Sequence, residues 1–202
     1  DQNPLPRRSF PLARQYGQTL SAAVDRVLNE NMKRVAPVLK TAYSETDLQF
    51  EGNPPTRQEL LGHMHDTSST APYLKLMART LVSRLDNGEI FRNTYPYPCQ
   101  VWKFGDQVLM ALGGELVIEY ALELKKMFGQ NIFVLGYTND VMAYIPSETI
   151  LNEGGYEGTR SVFFTTAWNR NTQSLIISAM SRLAEESGIR RIDSPGRMAA
   201  GK

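Results

Sequence analysis

The residues best suited to chemistry are one carboxylate and two phenols that lie near one another in the sequence. Glu115 follows two glycines at the junction between a predicted strand and an amphipathic helix. Tyr144 and Tyr156, twelve positions apart, come after the next predicted strand. An α/β sheet places its chemistry in the loops at the carboxyl ends of its strands. Two such loops, adjacent in sequence, therefore each offer an oxygen ligand.

The hydrophobic pattern predicts the elements that must position these side chains. Two strands, Tyr95 to Phe104 and Gln107 to Leu112, are predicted to form a hairpin around Gly105-Asp106. A helix that ends at Gly129 follows, and then a short buried strand from Asn131 to Leu135. The order strand, helix, strand indicates a parallel crossover unit. The expected fold class is therefore α/β, with a mixed sheet flanked by helices.

The remaining elements are predicted from apolar residues at helical spacing, from a loose alternation of apolar and polar residues, and from capping residues. Thr56 and Glu59 have the spacing of a capping box at the start of a short helix. We expect one domain over residues 1–202, with a frayed tail at 194–202. The predicted spans are a helix from Pro11 to Asn31, a strand from Ala42 to Phe50, and helices from Thr56 to Met64, Leu74 to Leu85 and Thr172 to Glu186.

Composition excludes several classes of function. A hydrophobic content of 42% predicts a packed globular core. A net charge of +1 provides no dominant basic field, so no nucleic-acid partner is expected. No apolar run reaches the roughly 20 residues needed for a membrane span. Cys99 is the only cysteine, so neither an intrachain disulfide nor a cysteine zinc site can form. We interpret Cys99 as a small buried residue and not as a nucleophile.

The spacing of Glu115, Tyr144 and Tyr156 resembles that of the neutral (alkaline, non-lysosomal) ceramidase family of zinc amidohydrolases. In that family a Pro-Gly-Glu turn supplies a zinc-binding glutamate, and a later Tyr-x-x-Tyr segment supplies a zinc-binding tyrosine. Twelve residues further on, a Tyr-Glu pair lines the active site. The resemblance implies that Glu115 and Tyr144 bind zinc, and that Tyr156, followed by Glu157, donates a hydrogen bond to an oxyanion.

The chain departs from the family pattern at several positions. Gly113 stands in place of the proline, Val141 in place of the first tyrosine, and Pro146-Ser147 in place of two threonines. The segment Asp1 to Pro4 resembles the end of the family's Gly-Asp-x-x-Pro motif, which follows the nucleophilic serine. The resemblance therefore implies a carboxyl-terminal part of the catalytic domain. We expect no immunoglobulin-like module of the kind found in many family members, because few residues follow Ile192 in this sequence.

Each candidate residue also has an ordinary structural interpretation. Glu115 would simply stabilise a helix from its first turn, since the positive end of the helix dipole favours a carboxylate. Tyr144 would be a half-buried strand residue, and Tyr156 a loop aromatic. His63 and His65, the only histidines, could share a metal in an extended segment. That segment is predicted to be helical, however, where a two-residue spacing directs the side chains apart.

Taken together, the resemblance implies hydrolysis of the N-acyl amide bond of ceramide or a related lipid, with zinc as the cofactor. The zinc site is incomplete in this chain, so the chain alone is not expected to be active. The missing amino-terminal part of the catalytic domain is the expected partner, and a secreted or periplasmic location is implied by the family alone. The alternative is a non-catalytic α/β scaffold or interaction domain that retains the glycine turns for folding.

Overall fold

The computed structural model describes residues 8–65, 72–159 and 167–192. The chain divides into two compact units, residues 1–36 and 37–202, so the expectation of a single domain stays a prediction. The first unit contains helix α1 (Phe10–Leu28), which confirms the predicted helix. Its N-cap is Ser9, whose hydroxyl accepts a hydrogen bond from the backbone N–H of Leu12 at 3.4 Å. The segment Asp1 to Pro4 and the tail at 194–202 lie outside the described residues.

The second unit is built on a mixed four-stranded sheet. The described strands are β1 (Leu39–Gln49), β2 (Thr94–Phe104), β3 (Gln107–Leu112), β4 (Glu115–Leu116), β5 (Phe133–Leu135) and β6 (Tyr144–Ile145). The sheet order is β1-β2-β3-β5, with antiparallel pairing except between β3 and β5, which are parallel. Strands β4 and β6 form a separate parallel pair. The predicted hairpin and the predicted α/β class with a mixed sheet are both confirmed.

Six helices of the second unit are described. They are α2 (Arg57–His65), α3 (Pro72–Asp86), α4 (Ile118–Phe128), α5 (Glu148–Glu153), α6 (Tyr156–Thr159) and α7 (Thr172–Glu186). The capping box before α2 is confirmed, because the Thr56 backbone N–H donates to Glu59 Oε2 at 2.7 Å and the Glu59 N–H donates to Thr56 Oγ1 at 3.3 Å. Within the described parts of the chain, no helix combines the length and apolar character needed to cross a bilayer.

Helix α7 packs on one face of the sheet, and α4 completes the crossover between β3 and β5. Arg182 on α7 donates to Ser44 Oγ on β1 at 3.2 Å, and Lys103 Nζ on β2 donates to the backbone oxygen of Gly188 at 3.1 Å. In the same sheet, Val101 and Met110 are completely buried. The predicted strand, helix, strand crossover is therefore confirmed, and it brings the ends of β3 and β5 to the same edge of the sheet.

The prediction that Glu115 lies in the first turn of a helix is wrong. Glu115 lies in β4, and α4 begins at Ile118 after Val117, an extended N-cap residue with φ −74° and ψ 157°. The Glu115 backbone N–H donates to Ala143 O at 2.9 Å, which keeps the chain extended for two residues before the helix. The helix dipole is therefore not the feature that positions this carboxylate.

Gly114 allows the chain to turn from β3 into β4. Its φ is +69°, a left-handed conformation that glycine adopts without penalty. A Cβ at this position would lie 2.6 Å from Ile145 Cγ1 and 2.8 Å from the backbone oxygen of Ala143. The turn is therefore packed directly against β6, which places Glu115 beside Tyr144.

Gly114→Ala should lower the free energy of unfolding by about 2–5 kcal/mol in chemical denaturation. A left-handed alanine costs roughly 1–2 kcal/mol, and the added methyl overpacks a filled site at a cost of roughly 1–3 kcal/mol. Gly88→Ala is the matched control, because Gly88 also has a positive φ of +85° but no neighbouring atom within 4 Å of the added Cβ. Equal losses for the two variants would show that the packing of Gly114 against β6 contributes nothing.

Candidate functional site

The pairing of β4 with β6 brings the predicted metal ligands together. Glu115 and Tyr144 are directly opposite each other in this parallel ladder, so their side chains lie on the same face. The Glu115 carboxylate is close enough to the Tyr144 phenol to influence its ionisation. Partial burial, followed by the negative charge of Glu115, raises the pKa of the Tyr144 phenol. Without a cation, the pair is therefore a neutral phenol beside a carboxylate.

Tyr156 also belongs to this cluster, which contains Glu115, Tyr144 and Tyr156. Its ring packs edge-on against that of Tyr144, with centroids 5.5 Å apart and an interplanar angle of 77°. Tyr156 is the first residue of the short helix α6, and 54% of its surface remains exposed. The next residue, Glu157, adds a second negative charge that acts on Tyr144. Tyr144 is therefore the residue that both Glu115 and Tyr156 contact.

Tyr137 is a residue of the site that the sequence analysis did not identify. It follows β5, and its backbone N–H donates to the backbone oxygen of Gly114 at 2.8 Å, directly before Glu115 in the chain. The interaction of its phenol with the Glu115 carboxylate, with a smaller effect of burial, raises the pKa of Tyr137 to about 12. A tyrosine directly after the glycine that ends a strand is a signal for a loop residue, but its left-handed φ of +56° could not be read from the sequence.

Buried aromatic side chains hold the backbone of the loops that carry the site. Each donates a hydrogen bond to a main-chain oxygen in or next to the glycine turn and β6. The bonds are Tyr97 to Gly113 O at 2.7 Å, Trp168 Nε1 to Tyr144 O at 2.8 Å, and Tyr120 to Pro146 O at 2.9 Å. Burial raises the pKa values of Tyr97 and Tyr120 well above their ordinary range, so both phenols remain neutral donors.

The loop between β5 and β6 is anchored by a further tyrosine. Tyr95 donates a hydrogen bond to the Asp140 carboxylate, whose other oxygen accepts from the Val141 backbone N–H at 2.8 Å. The backbone oxygen of Asp140 in turn accepts from the Gly114 N–H at 2.7 Å. One residue, Asp140, therefore connects the loop after β5 to the glycine turn before β4.

The other chemistry-bearing residues lie elsewhere. His63 and His65 are both on α2, which runs one residue beyond the predicted helix, and both are exposed. Cys99 is completely buried in β2, and burial raises the pKa of its thiol to about 12, which confirms its interpretation as a core residue. In residues 8–65, 72–159 and 167–192, no three His, Cys, Asp or Glu side chains are grouped so that they could hold a metal ion.

Comparison with known proteins supports the fold. No family model matches the chain, and no curated protein sequence matches it significantly. Among solved structures, the chain is similar to the neutral ceramidase from Pseudomonas aeruginosa, with a TM-score of 0.55 and 13% sequence identity. The match covers 91% of this chain and 34% of that structure, so the chain spans about a third of its length. At this identity the likeness shows a shared fold: the chain folds like a part of a neutral ceramidase.

The Tyr137–Glu115 contact predicts a specific pH dependence. Because the pKa of Tyr137 is higher in the folded state than the ordinary value of ~10, its contribution to stability is complete below pH ~10 and is lost as pH rises towards 12. Glu115→Gln should move the Tyr137 titration towards pH ~10, because the carboxylate that favours the neutral phenol is gone.

Tyrosinate absorbance is recorded for the unaltered protein and for Glu115→Gln, each with and without the Tyr137→Phe substitution. The difference within each pair isolates the titration of Tyr137 among the nine tyrosines of the chain. Glu45→Gln is the control, since Glu45 accepts from Tyr43 at 3.0 Å and should affect that phenol instead. A Tyr137 titration that is the same with and without the Glu115 carboxylate would contradict the contact.

Proposed function

We propose that this chain is the carboxyl-terminal part of the catalytic domain of a zinc-dependent amidohydrolase resembling neutral ceramidase. Its reaction would be hydrolysis of the N-acyl amide bond of ceramide or a related lipid. The observation that carries the proposal is the register pairing of Glu115 with Tyr144, two residues far apart in sequence whose side chains share one face. The ceramidase-like fold supports the same assignment.

The donor set fits a zinc ion in part. A carboxylate and a phenol are both oxygen donors, and Glu115 and Tyr144 are register partners on one face of the β4–β6 pair, so both would be available to one cation. A neighbouring positive charge favours the phenolate form that a metal requires. A catalytic zinc site normally has three protein ligands. The remaining ligand or ligands would therefore come from outside the described residues.

The side chains have distinct roles in this proposal. Bound zinc would supply a Lewis acid that polarises the amide carbonyl and activates the attacking group. Glu115 and Tyr144 would hold that ion. Tyr156, half-exposed beside Tyr144, would donate a hydrogen bond to the oxyanion that forms on the carbonyl oxygen. Gly155, with φ +90° and no neighbouring atom within 4 Å of the position that a Cβ would take, leaves room for a substrate to approach.

A non-catalytic scaffold or interaction domain is the second candidate. The observation that favours it is the low identity of 13%, because a shared fold does not by itself imply a shared function. The two candidates differ in what the Glu115–Tyr144 pair does. In an enzyme the pair would bind a metal, whereas in a scaffold it would be a surface contact of little consequence.

Variants of Glu115 and Tyr156 separate these candidates in a longer chain that supplies the remaining ligands and the nucleophile. Glu115→Ala should remove zinc and abolish turnover, because a metal ligand is lost. Tyr156→Phe should retain zinc and lower kcat by about 10²–10³, with little change in KM, because it removes one oxyanion donor. Metal analysis and steady-state kinetics measure both effects.

Tyr73→Phe is the matched control, since Tyr73 on α3 has the same 54% exposure as Tyr156 but lies outside the cluster. It should be silent in both assays. Zinc retained after Glu115→Ala would show that Glu115 is not a zinc ligand. Normal turnover in Tyr156→Phe would show that Tyr156 does not stabilise the oxyanion. Absence of zinc and turnover in the unaltered longer chain would favour the scaffold.

A further inference from the structure

We infer that the uncovered face of the four-stranded sheet is the surface on which the rest of the proposed catalytic domain packs. This surface, the open face, is formed by apolar side chains that alternate with the buried ones along each strand. Its main members are Leu39 and Tyr43 on β1, Trp102 and Phe104 on β2, Leu109 on β3 and Phe133 on β5. This docking rests on the proposed function, because the remainder of that enzyme is the partner.

The strand register joins these side chains into one surface. Trp102 is opposite Leu109, which in turn is opposite Phe133, so the three form a row across three strands. Leu39 is opposite Phe104, whose ring centroid is 5.8 Å from that of Trp102. The exposed fractions are 55% for Leu39, 37% for Trp102 and 57% for Phe133. The open face is therefore a continuous apolar patch, which marks an interaction surface, and not a scatter of single exposed residues.

The opposite face of the same sheet is already covered by helices. Val101 and Met110 lie on that face, and they belong to one buried cluster with Leu124 of α4 and Met180 of α7. A sheet with one solvated face normally alternates buried apolar residues with outward polar ones. The open face carries large apolar side chains where polar ones are expected. This pattern is typical of a sheet that is buried on both faces by further layers of protein.

Two observations favour the rest of the proposed enzyme as the covering layer. The structural match covers 91% of this chain but 34% of the ceramidase, so that fold has a large further part to place. The open face also ends beside the candidate site. Asn139, in the loop between β5 and β6, donates to Gln100 Oε1 at 3.4 Å, and Gln100 is opposite Tyr43. The part of the enzyme that would supply the remaining zinc ligands would therefore border this face.

The charges near the open face argue against a membrane as the occupant. Glu45 and Asp47 follow Tyr43 at two-residue spacing, so they lie on the same side of β1. Lys40 and Lys103 are opposite each other on the other side of the sheet. Binding to anionic lipid relies on clustered lysine and arginine near the surface. An apolar, aromatic patch with an acidic border lacks that feature, and it suits the core of a protein interface.

Hydroxyl-radical labelling, quantified by mass spectrometry, tests the docking in this 202-residue chain and in the longer chain. Trp102 and Phe133 should react readily in the 202-residue chain. In the longer chain they should react about tenfold more slowly, because the centre of an interface excludes water. Leu122 on α4, which is 61% exposed and lies outside the open face, is the control and should react similarly in both chains. Equal reactivity of Trp102 and Phe133 in the two chains would overturn the inference.

The double variant Leu39→Gln, Phe133→Gln provides a second measurement. It should lower the midpoint of chemical denaturation in the longer chain and change it little in the 202-residue chain, where both side chains are exposed. An equal change in the two chains would contradict the docking. The matched variant Leu122→Gln, which replaces a similarly exposed leucine, should have little effect in either.

Other occupants of the open face give different results. Protection of Trp102 in the 202-residue chain that rises with protein concentration would identify a second copy. Protection in the longer chain that requires phosphatidylglycerol vesicles would identify a lipid surface. Either result overturns the inference. A reactive open face in a longer chain that binds zinc would overturn the docking and leave the proposed function intact. A protected face without zinc or turnover would support the docking and overturn the zinc site.

Discussion

The parallel pairing of two very short strands, β4 (Glu115–Leu116) and β6 (Tyr144–Ile145), is the interaction on which the candidate site depends. Two residues per strand give too few hydrogen bonds to be stable alone. The pair persists because Gly114 packs directly on β6 and because neighbouring side chains hold the backbone on both sides. The carboxylate and the phenol thus face each other as a result of backbone packing, without any direct requirement for a metal.

Hydrogen bonds from buried aromatic side chains stabilise the loops that carry the site. Tyr97, Tyr120 and Trp168 are almost completely buried, and each directs its polar atom to a loop carbonyl. A buried hydrogen bond contributes about 1 kcal/mol net, but an orphaned buried partner costs about 1–3 kcal/mol. These hydrogen bonds therefore restrain the irregular backbone of the loops. The side chains of Tyr137 and Tyr156 remain exposed on this restrained backbone.

Much of the fold followed from local patterns in the sequence, whereas the site followed only in part. Hydrophobic spacing predicted the hairpin, the crossover and α7, because those elements bury continuous apolar faces. The placement of Glu115 in a helix was wrong, since a backbone hydrogen bond to Ala143, 28 positions away, extends the chain until Val117. Tyr137 was missed for a related reason: its left-handed conformation is imposed by a bond to Gly114 that no local pattern reveals. The assignments of Glu115 and Tyr144 to zinc and of Tyr156 to the oxyanion came from the family resemblance, and they stay predictions.

We propose that Glu115 and Tyr144 together hold a zinc ion. The decisive measurement is anomalous diffraction at the zinc absorption edge, from crystals of the longer chain grown with zinc. An anomalous peak is expected in contact with both the Glu115 carboxylate and the Tyr144 phenolic oxygen, with metal–oxygen distances of about 2.0–2.2 Å. A peak at His63 and His65, or no peak between Glu115 and Tyr144 at saturating zinc, would contradict it.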